Sequence, residues 1–531
     1  MRNVEIKKII SYVVLALFLI TLSYFLLRFY IHQNNIIFIP TFILSFTLFI
    51  ISIFDLEFSF LIFLFFMPLL NSLHLILSNL HFPVLYFLFL GLFLGGLINL
   101  IKRNKSLIYF KQKIYNPFLI FIILASISFV FTVSRLINFY PFIESEIQSF
   151  TINTAGWNNF IALNYAFFYF LNYLSGFLLF LILGNIEITE KFINRFFYSI
   201  SISFLIVFFV GLYQIFFNKS FGNFGFFAVN NRINSTLTDP NSLGMYLFIL
   251  FPIFIGFGYY FYNFKKYLSI FSFILSILTL IMIMYSGSRS GFLGIVIIIL
   301  FYFIYLGVIL FKKTFRKFNI NKIFLNLISY FIIILLSVLF FYGFIFIVKN
   351  VDLDSEYPSL LVRIKQNIDI IGEENFLSYF SSGRNILWVQ AAHMFMDYPI
   401  SGVGVGQFIV EVSNYNTIKY GNIGLIDCTN NYYFQILSEM GILSLIVILW
   451  FFIGVIFYAI FAYIKIEDNK FKFLYLNLLL CFVVMLIIFN TSPNIIFYEI
   501  QYIFILVIWL LIKLRECFVK NINVYNENSE K

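Results

Sequence analysis

Charged residues and cysteines are both scarce in this sequence. Asp, Glu, Lys and Arg together make up 11% of the 531 residues, whereas about a quarter of an ordinary soluble domain is charged. This composition excludes a soluble globular protein. The three cysteines, Cys428, Cys481 and Cys517, include no pair placed for a disulfide and lack the spacing of metal ligands.

Long runs of apolar residues make up much of the sequence. Hydrophobic residues account for 62% of the chain, and many runs reach about 18 residues, the length at which a helix crosses a bilayer. The sequence predicts an all-α polytopic membrane protein of about 12–14 transmembrane helices, with about 14 as the preferred number. We expect spans at residues 9–30, 36–54, 58–77, 83–101, 117–138, 160–184, 197–217, 243–262, 268–285, 292–311, 323–348, 432–461, 471–490 and 496–512.

The distribution of Lys and Arg orients these spans. With the N-terminus in the cytoplasm, 24 of the 34 basic residues fall on inner segments, as the positive-inside rule requires. Two outer loops are long, residues 218–242 and 349–431, and loops of such length are usually functional. We expect an N-terminal bundle (1–217), a second transmembrane region (218–512) that includes the larger loop, and a polar cytoplasmic tail (513–531).

The 10 basic residues on outer segments each need an explanation, because positive charge is disfavoured on that side of the membrane. Arg28 and Arg135 end spans and are expected to snorkel to the interface, and the outer lysines are read as ordinary loop charges. Arg363 ranks below the others, since residues 358–372 resemble an amphipathic surface helix that it would anchor. The four arginines that remain are Arg232, Arg289, Arg363 and Arg384.

Arg289 and Arg384 occupy positions that suit phosphate binding. Arg289 lies in the short turn "SGSRSG" between two spans, and Arg384 follows two serines that can cap a helix ending near Pro399. A helix N-terminus attracts anions, and a guanidinium can bind phosphate with two parallel hydrogen bonds. The alternative for both arginines is a solvated or snorkelling cation at the water boundary.

The stretch "GVGVGQF" (402–408) follows the helix that Arg384 begins. Its alternating glycines permit tight turns or a close approach of the backbone. They do not form a phosphate-binding P-loop, because that motif continues with Gly-Lys-Ser/Thr. We therefore predict a structural role for these glycines.

Four polar stretches stand out between about residue 230 and residue 450: "RINSTLTDPNSLGMYL" (232–247), "SGSRSGFLG" (286–294), "SGRNILWVQAAHMFMDYPISGVGVGQF" (382–408) and "TNNYYFQILSEMGILSL" (429–445). Over this region the chain resembles the O-antigen ligase/polymerase superfamily, in which such stretches occur in the same order and whose members transfer lipid-linked glycans in membranes. The third stretch is the most specific.

The resemblance implies an inverting glycosyltransferase of the GT-C type that takes its glycan from an undecaprenyl diphosphate carrier. The lipid diphosphate is the leaving group, so neither a metal nor another cofactor is expected. In the family, an outer-turn arginine and a large-loop arginine face the diphosphate, and they match Arg289 and Arg384, with Arg232 as a third candidate. Besides this donor, the expected partners are a glycan or lipid-linked acceptor, a chain-length regulator protein and the lipid bilayer, but no nucleic acid.

The fourth stretch lacks the histidine that looks like the catalytic base in the ligase branch of the family. Counting back from Glu439 and Gly441 places that histidine at Asn430, whereas counting from Asp427 places it at Thr429. An asparagine amide can position a sugar hydroxyl but cannot deprotonate it at neutral pH. Asp427 is the first candidate for the base, because it is an outer residue close to Asn430, although it also fits a solvated loop carboxylate. Glu439, inside a span where an ionisable group is costly, and His393 are the alternatives.

The missing histidine favours a polysaccharide repeat-unit polymerase, for O-antigen, capsule or exopolysaccharide, over a ligase that transfers glycan to lipid A core. Another lipid-linked glycan transferase and a lipid-linked oligosaccharide transporter are the remaining alternatives. Transporters usually carry charged residues near the membrane midplane, whereas here the span centres are almost free of them. We expect the protein in the bacterial cytoplasmic membrane, with both termini inside and the active site on the outer face.

Overall fold

The computed structural model describes residues 38–70, 84–103, 105, 113–138, 159–223, 225–315, 358–369, 384–415, 428–491 and 498–529. Within these ranges every regular element is a helix, which confirms the all-α prediction. An apolar chain in lipid favours helices because each helix satisfies its own backbone hydrogen bonds.

The helices of the described chain vary in length from one turn to nine. In order they are α1 (Phe38–Phe54), α2 (Leu56–Phe66), α3 (Val84–Lys102), α4 (Asn116–Asn138), α5 (Asn159–Leu183), α6 (Glu190–Phe216), α7 (Gly225–Val229), α8 (Pro240–Phe261), α9 (Lys266–Ser286), α10 (Arg289–Phe315), α11 (Ser359–Asp369), α12 (Arg384–Asp397), α13 (Phe408–Glu411), α14 (Tyr432–Lys465), α15 (Asn469–Ile488) and α16 (Tyr498–Ser529).

Nine helices within the described ranges are long and apolar enough to cross a membrane: α3, α4, α5, α6, α8, α9, α10, α14 and α15. Helices α1 and α2 are apolar but shorter. The predicted spans 9–30 and 323–348 lie outside the described residues, and each of the other predicted spans overlaps a helix. The chain is a multi-pass membrane protein, and the total of about 14 spans stays a prediction.

Helix α16 continues beyond the predicted end of the last span, and the position of that end and the cytoplasmic tail stay predictions. The sequence places that end at residue 512 and predicts a polar tail beyond it, whereas α16 continues to Ser529. Lys513 donates to Glu516 at 3.1 Å, and the guanidinium of Arg515 lies 3.8 Å from the centre of the Tyr458 ring. These contacts support the continuing helix, because they pair its charges within one turn and attach it to α14.

Helix α8 lies at the centre of the bundle, with nearly all of its side chains buried, and it packs against α9, α10 and α15. Asp239 caps its N-terminus by accepting a hydrogen bond from the backbone N–H of Ser242, and Pro240 occupies its first turn. The motif "TDPNS" thus begins the helix three residues before residue 243, where the sequence places the start of the span. The cap fixes the end of the preceding loop beside α9 and α10, the two helices that flank Arg289.

The two ends of the bundle carry different chemistry. At one end, Arg195 pairs with Glu57 at 3.3 Å and Lys105 lies 3.9 Å from Glu187. This is the end that the positive-inside rule assigns to the cytoplasm. The opposite end holds the turn between α9 and α10, the start of α14 and the loop helices α11 to α13.

Candidate active site

The turn between α9 and α10 is as short as the sequence predicts. Helix α9 ends at Ser286, and α10 begins at Arg289. Gly287 adopts a left-handed backbone with φ of 63°, and a Cβ there would lie 2.7 Å from Ser359 Oγ and 3.1 Å from Arg232 Nε. Only glycine fits this position without strain. Two long helices therefore hold Arg289 at a fixed point.

Two further arginines hold the carbonyl end of α9. Arg232 Nε donates to the carbonyl oxygen of Ser286 at 3.1 Å. Arg363 Nη1 donates to the carbonyl oxygen of Gly287 at 2.6 Å. Cations at a helix C-terminus satisfy its unpaired carbonyls and complement its dipole. The backbone that presents Arg289 is thus held by two neighbouring cations.

Arg232 is buried, with 7% of its surface exposed, and its Nη2 also donates to Asn241 Oδ1 at 2.9 Å. Burial lowers the pKa of Arg232 to about 10; the charge of Asp239 opposes this shift, and those of Arg289 and Arg384 add to it. The side chain remains a cation at neutral pH. Its interactions with Arg289 and Arg384 also show that all three arginines lie close together.

Arg384 reaches the same place from the large loop. It begins α12, as the sequence predicts, and its Nη1 donates to the carbonyl oxygen of Thr491, just beyond α15, at 2.5 Å. Trp388, one turn later, stacks on the Phe434 ring of α14 with a centroid distance of 6.4 Å. The buried side of α12 includes Leu387, Ala391 and Met394. Packing against α14 thus fixes the helix that carries Arg384.

The structure brings four arginines together, and we call this group the arginine cluster: Arg232, Arg289, Arg363 and Arg384. The charges of Arg363 and Arg384 act on Arg289. Burial, followed by the charges of Arg232 and Arg384, lowers the pKa of Arg363 to about 10. Concentrated, partly desolvated positive charge of this kind suits a ligand with several negative charges.

Arg363 belongs to this cluster although it ranks lowest on sequence grounds. Helix α11 is the amphipathic helix expected within residues 358–372. The period of an amphipathic helix identifies its polar face but not the partner that this face meets. The fold of the large loop decides that partner, which here is the carbonyl of Gly287. Periodicity therefore could not distinguish a membrane-surface anchor from a member of the cluster.

The turn that carries Asn430 precedes α14. Asn430 adopts a left-handed backbone with φ of 53°, which asparagine tolerates better than most residues, and its Nδ2 donates to the carbonyl oxygen of Cys428 at 3.1 Å. Asn431 caps α14 by accepting hydrogen bonds from two first-turn N–H groups. Asp427 lies outside the described residues, so its role as the base stays a prediction.

Two adjacent carbonyls join the Asn430 turn to the arginine cluster. Asn431 Nδ2 donates to the carbonyl oxygen of Asn490 at 3.1 Å, and Arg384 Nη1 donates to that of Thr491. Since these acceptors are neighbours in the chain, the turn and Arg384 lie side by side at the end of α15. The turn that carries Asn430 therefore lies next to Arg384, an arginine of the large loop.

Glu439 is buried under residues 402–408, which we call the glycine loop. Its carboxylate accepts hydrogen bonds from the backbone N–H of Phe408 at 3.1 Å and from the Gln435 side chain. Gln435 Oε1 in turn accepts from the backbone N–H of Thr429 at 3.0 Å and from its hydroxyl at 2.9 Å. Glu439 thus links the glycine loop to the start of α14. A catalytic role for Glu439 stays a prediction.

The glycine loop lies directly on the backbone of α14. A Cβ on Gly402, whose φ is 65°, would lie 2.2 Å from the carbonyl carbon of Glu439. The backbone N–H groups of Val403 and Gly404 donate to the carbonyls of Ser438 at 2.8 Å and Glu439 at 2.9 Å. The close backbone approach that the sequence allows at these glycines is therefore present.

Arg135 does not snorkel, contrary to the prediction. Its Nη1 donates to the carbonyl oxygen of Val403 at 2.9 Å, and its Nη2 forms an ion pair with Glu411. The glycine loop and α13 cover the end of α4 and supply both acceptors. Long-range packing of this kind is not readable from the position of a residue at the end of a span.

The fold and this site together define the class of protein. It is a multi-pass α-helical membrane protein with an arginine cluster and a polar turn at one end of the bundle. Residues 274–449 match the model of a family described as O-antigen ligase. Over this region the chain is similar to the O-antigen ligase/polymerase superfamily, in agreement with the resemblance of its sequence motifs. No curated protein matches the chain.

The matched region contains most of the candidate site. It runs from within α9 into α14 and includes Arg289, Arg363, Arg384, Asn430 and Glu439. The family indicates a glycosyltransferase-like enzyme of the O-antigen ligase/polymerase type. A bilayer and a lipid-linked glycan substrate are consistent with it.

Proposed function

We propose that the protein is a polysaccharide repeat-unit polymerase that joins O-antigen, capsule or exopolysaccharide units carried on undecaprenyl diphosphate. It works at the outer face of the bacterial cytoplasmic membrane, with both termini inside, and a chain-length regulator protein is its expected partner. The observation that supports this proposal most is the meeting of Arg384 and the Asn430 turn at the adjacent carbonyls of Asn490 and Thr491.

The arginines serve the leaving group in this proposal. Arg232, Arg289 and Arg384 bind the donor diphosphate, and their charges stabilise the negative charge that grows as the glycan departs. A guanidinium can form two parallel hydrogen bonds to phosphate, and in a partly desolvated site such bonds are stronger than in water. Transfer with inversion and without a metal is consistent with this arrangement, since the cations of the protein take up the charge of the leaving group.

Residues near the start of α14 serve the acceptor. Asn430 orients the acceptor hydroxyl, and Asp427 removes its proton. The hydroxyl oxygen attacks the anomeric carbon from the side opposite the diphosphate, so the new glycosidic bond forms as the bond to the diphosphate breaks. The proton passes to Asp427, and undecaprenyl diphosphate leaves.

A reconstituted assay separates the polymerase from the ligase that the matched family's description suggests. The purified full chain receives lipid-linked repeat units as the only glycan, and the products are separated by size. A polymerase yields products of two and more repeats on the lipid carrier, because donor and acceptor are the same compound. No growth with repeat units alone, together with transfer when lipid A core is added, would instead support the ligase.

The role of Asp427 is tested by Asp427→Asn, which keeps the size of the side chain but removes its basicity. General-base catalysis contributes roughly 10²–10⁴-fold, so we expect transfer to fall by that factor while donor binding stays nearly unchanged. The matched comparison is Arg384→Ala, which should weaken donor binding as well as turnover. Full activity of Asp427→Asn would leave Glu439 or His393 as the base, or a reaction without one.

A further inference from the structure

Helix α11 is attached to the last turn of α9 at two points of one face. Ser359 Oγ donates to the carbonyl oxygen of Tyr285 at 3.0 Å, and Arg363, four residues later, donates to that of Gly287 at 2.6 Å. Leu360 beside them is fully buried. Residues four apart share a helix face, so this contact holds Arg363 against the backbone that presents Arg289.

The capping of α9 does not account for the choice of arginine at position 363. One carbonyl needs one donor, whereas a guanidinium offers five N–H groups and a permanent charge. The charge of Arg363 lies in a partly desolvated place where those of Arg232 and Arg384 oppose it. Like charges brought together out of water cost free energy unless an anion offsets them.

We propose that Arg363 is a further ligand-binding residue of the cluster and contacts the same diphosphate as Arg232, Arg289 and Arg384. The large loop then contributes two cations to the ligand, one from α11 and one from α12. This assignment rests on the proposed function for the identity of the ligand as a lipid diphosphate. The positive cluster itself would bind any compact diphosphate, so inorganic pyrophosphate is a suitable probe.

The test compares Arg363→Gln with Lys365→Gln in the purified full chain. Both changes remove one positive charge from α11, two residues apart. Pyrophosphate binding is measured by calorimetry, and thermal unfolding is measured on the same samples. A hydrogen bond to a charged group contributes about 1.5–3 kcal/mol, so Arg363→Gln should weaken pyrophosphate binding roughly 10-fold to 100-fold. Lys365→Gln should change it less than about twofold, because residues two apart on a helix do not share a face and Lys365 is not among the charges that act on Arg363.

Arg363→Lys separates ligand binding from helix capping. Lysine keeps the charge and can still donate to the Gly287 carbonyl, but it lacks the planar pair of donors. We expect weaker pyrophosphate binding at an unchanged unfolding temperature. If Arg363→Gln does not fold, this variant decides the question alone. Binding equal to that of the unmodified chain in the folded variants would overturn the proposal and leave Arg363 as a helix cap.

Arg384→Ala distinguishes failure of this inference from failure of the proposed function. Loss of pyrophosphate binding in Arg384→Ala but not in Arg363→Gln overturns the inference and leaves the diphosphate site intact. If Arg363→Gln and Arg384→Ala both weaken binding, the inference is supported. If neither change affects binding and the unmodified chain makes no glycan product, both the inference and the proposed function are wrong.

Discussion

The arginine cluster and the glycine loop lie at the same end of the bundle, but their charges are held in different ways. Around the glycine loop, charged groups meet partners that hold them in place: Arg135 pairs with Glu411, and Glu439 accepts hydrogen bonds from Phe408 and Gln435. In the cluster, Arg232 and Arg363 donate hydrogen bonds to neutral oxygens, namely backbone carbonyls and one amide, and the charge of Asp239 also acts on Arg232.

This difference indicates separate tasks for the two regions. A pair such as Arg135 and Glu411 neutralises its own charge and fixes the loop to α4. A cation held by a neutral carbonyl keeps its charge and remains able to attract an anion. The glycine loop is thus expected to support the shape of the site, whereas the arginine cluster is expected to bind the ligand.

Among the changes that compare the two regions, Arg289→Lys should lower glycan transfer the most. It keeps the positive charge but removes the planar guanidinium from the cluster. Lysine cannot form the two parallel hydrogen bonds of a guanidinium, and loss of one preorganised donor costs roughly 10²–10³-fold in turnover. Glycan transfer by purified enzyme is the measurement. Arg195→Lys is the control, since its ion pair with Glu57 lies at the other end of the bundle. Equal tolerance of both changes would mean that Arg289 only marks the water boundary.

Gly402→Ala should disturb the glycine loop through packing instead of chemistry. The new Cβ would meet the α14 backbone 2.2 Å away, at a φ of 65° that alanine rarely adopts. We expect a loss of roughly 2–4 kcal/mol in the free energy of unfolding, as for strained or overpacked sites. Thermal unfolding in detergent measures this loss.

Gly454→Ala provides the matched control for Gly402→Ala. Nothing lies within 4 Å of a Cβ at Gly454, which is in α14. Alanine there should raise stability by about 0.5–1 kcal/mol, because it restricts the unfolded chain. Similar unfolding temperatures for Gly402→Ala and the unmodified chain would show that the loop can move away from α14.

Glu439→Gln should have the smallest effect on glycan transfer. It tests whether Glu439 supports the glycine loop or takes part in the chemistry. The glutamine oxygen can still accept from Phe408, so we expect less than a tenfold loss of transfer, below the roughly 10²–10⁴-fold of a general base. Glu439→Ala, which removes the acceptor, should lower the unfolding temperature. If Glu439→Gln lost more than a hundredfold in transfer without a change in unfolding temperature, Glu439 would belong to the chemistry.

Local sequence patterns predict the helices that span the membrane and some of the positions at which helices begin or end. Apolar runs predict the spans because a helix in lipid needs about 20 apolar residues. The turn "SGSRSG" predicts the break between α9 and α10, because turns are short-range events. The start of α12 at Arg384 follows from the same kind of signal.

Contacts between distant segments required the tertiary structure. Arg135 and Glu411 are 276 positions apart, and Arg384 and Thr491 are 107 positions apart. No local period connects such residues, which is why the sequence predicts Arg135 at the interface and places Arg363 below the other arginines. The same limit applies to Glu439, whose burial follows from apolar neighbours but whose partners come from the glycine loop.

Composition and short-range patterns predict that this protein crosses the membrane many times, that four arginines lie in outer turns and loops, and that its motifs resemble those of the O-antigen ligase/polymerase superfamily. These properties depend on composition and short-range order. Which cations meet depends on the tertiary structure, because Arg363 and Arg384 follow Arg289 by 74 and 95 positions and yet their charges act on it in the fold. The fold also pairs Arg135 with Glu411, since such pairing depends on contacts that only the folded chain brings together.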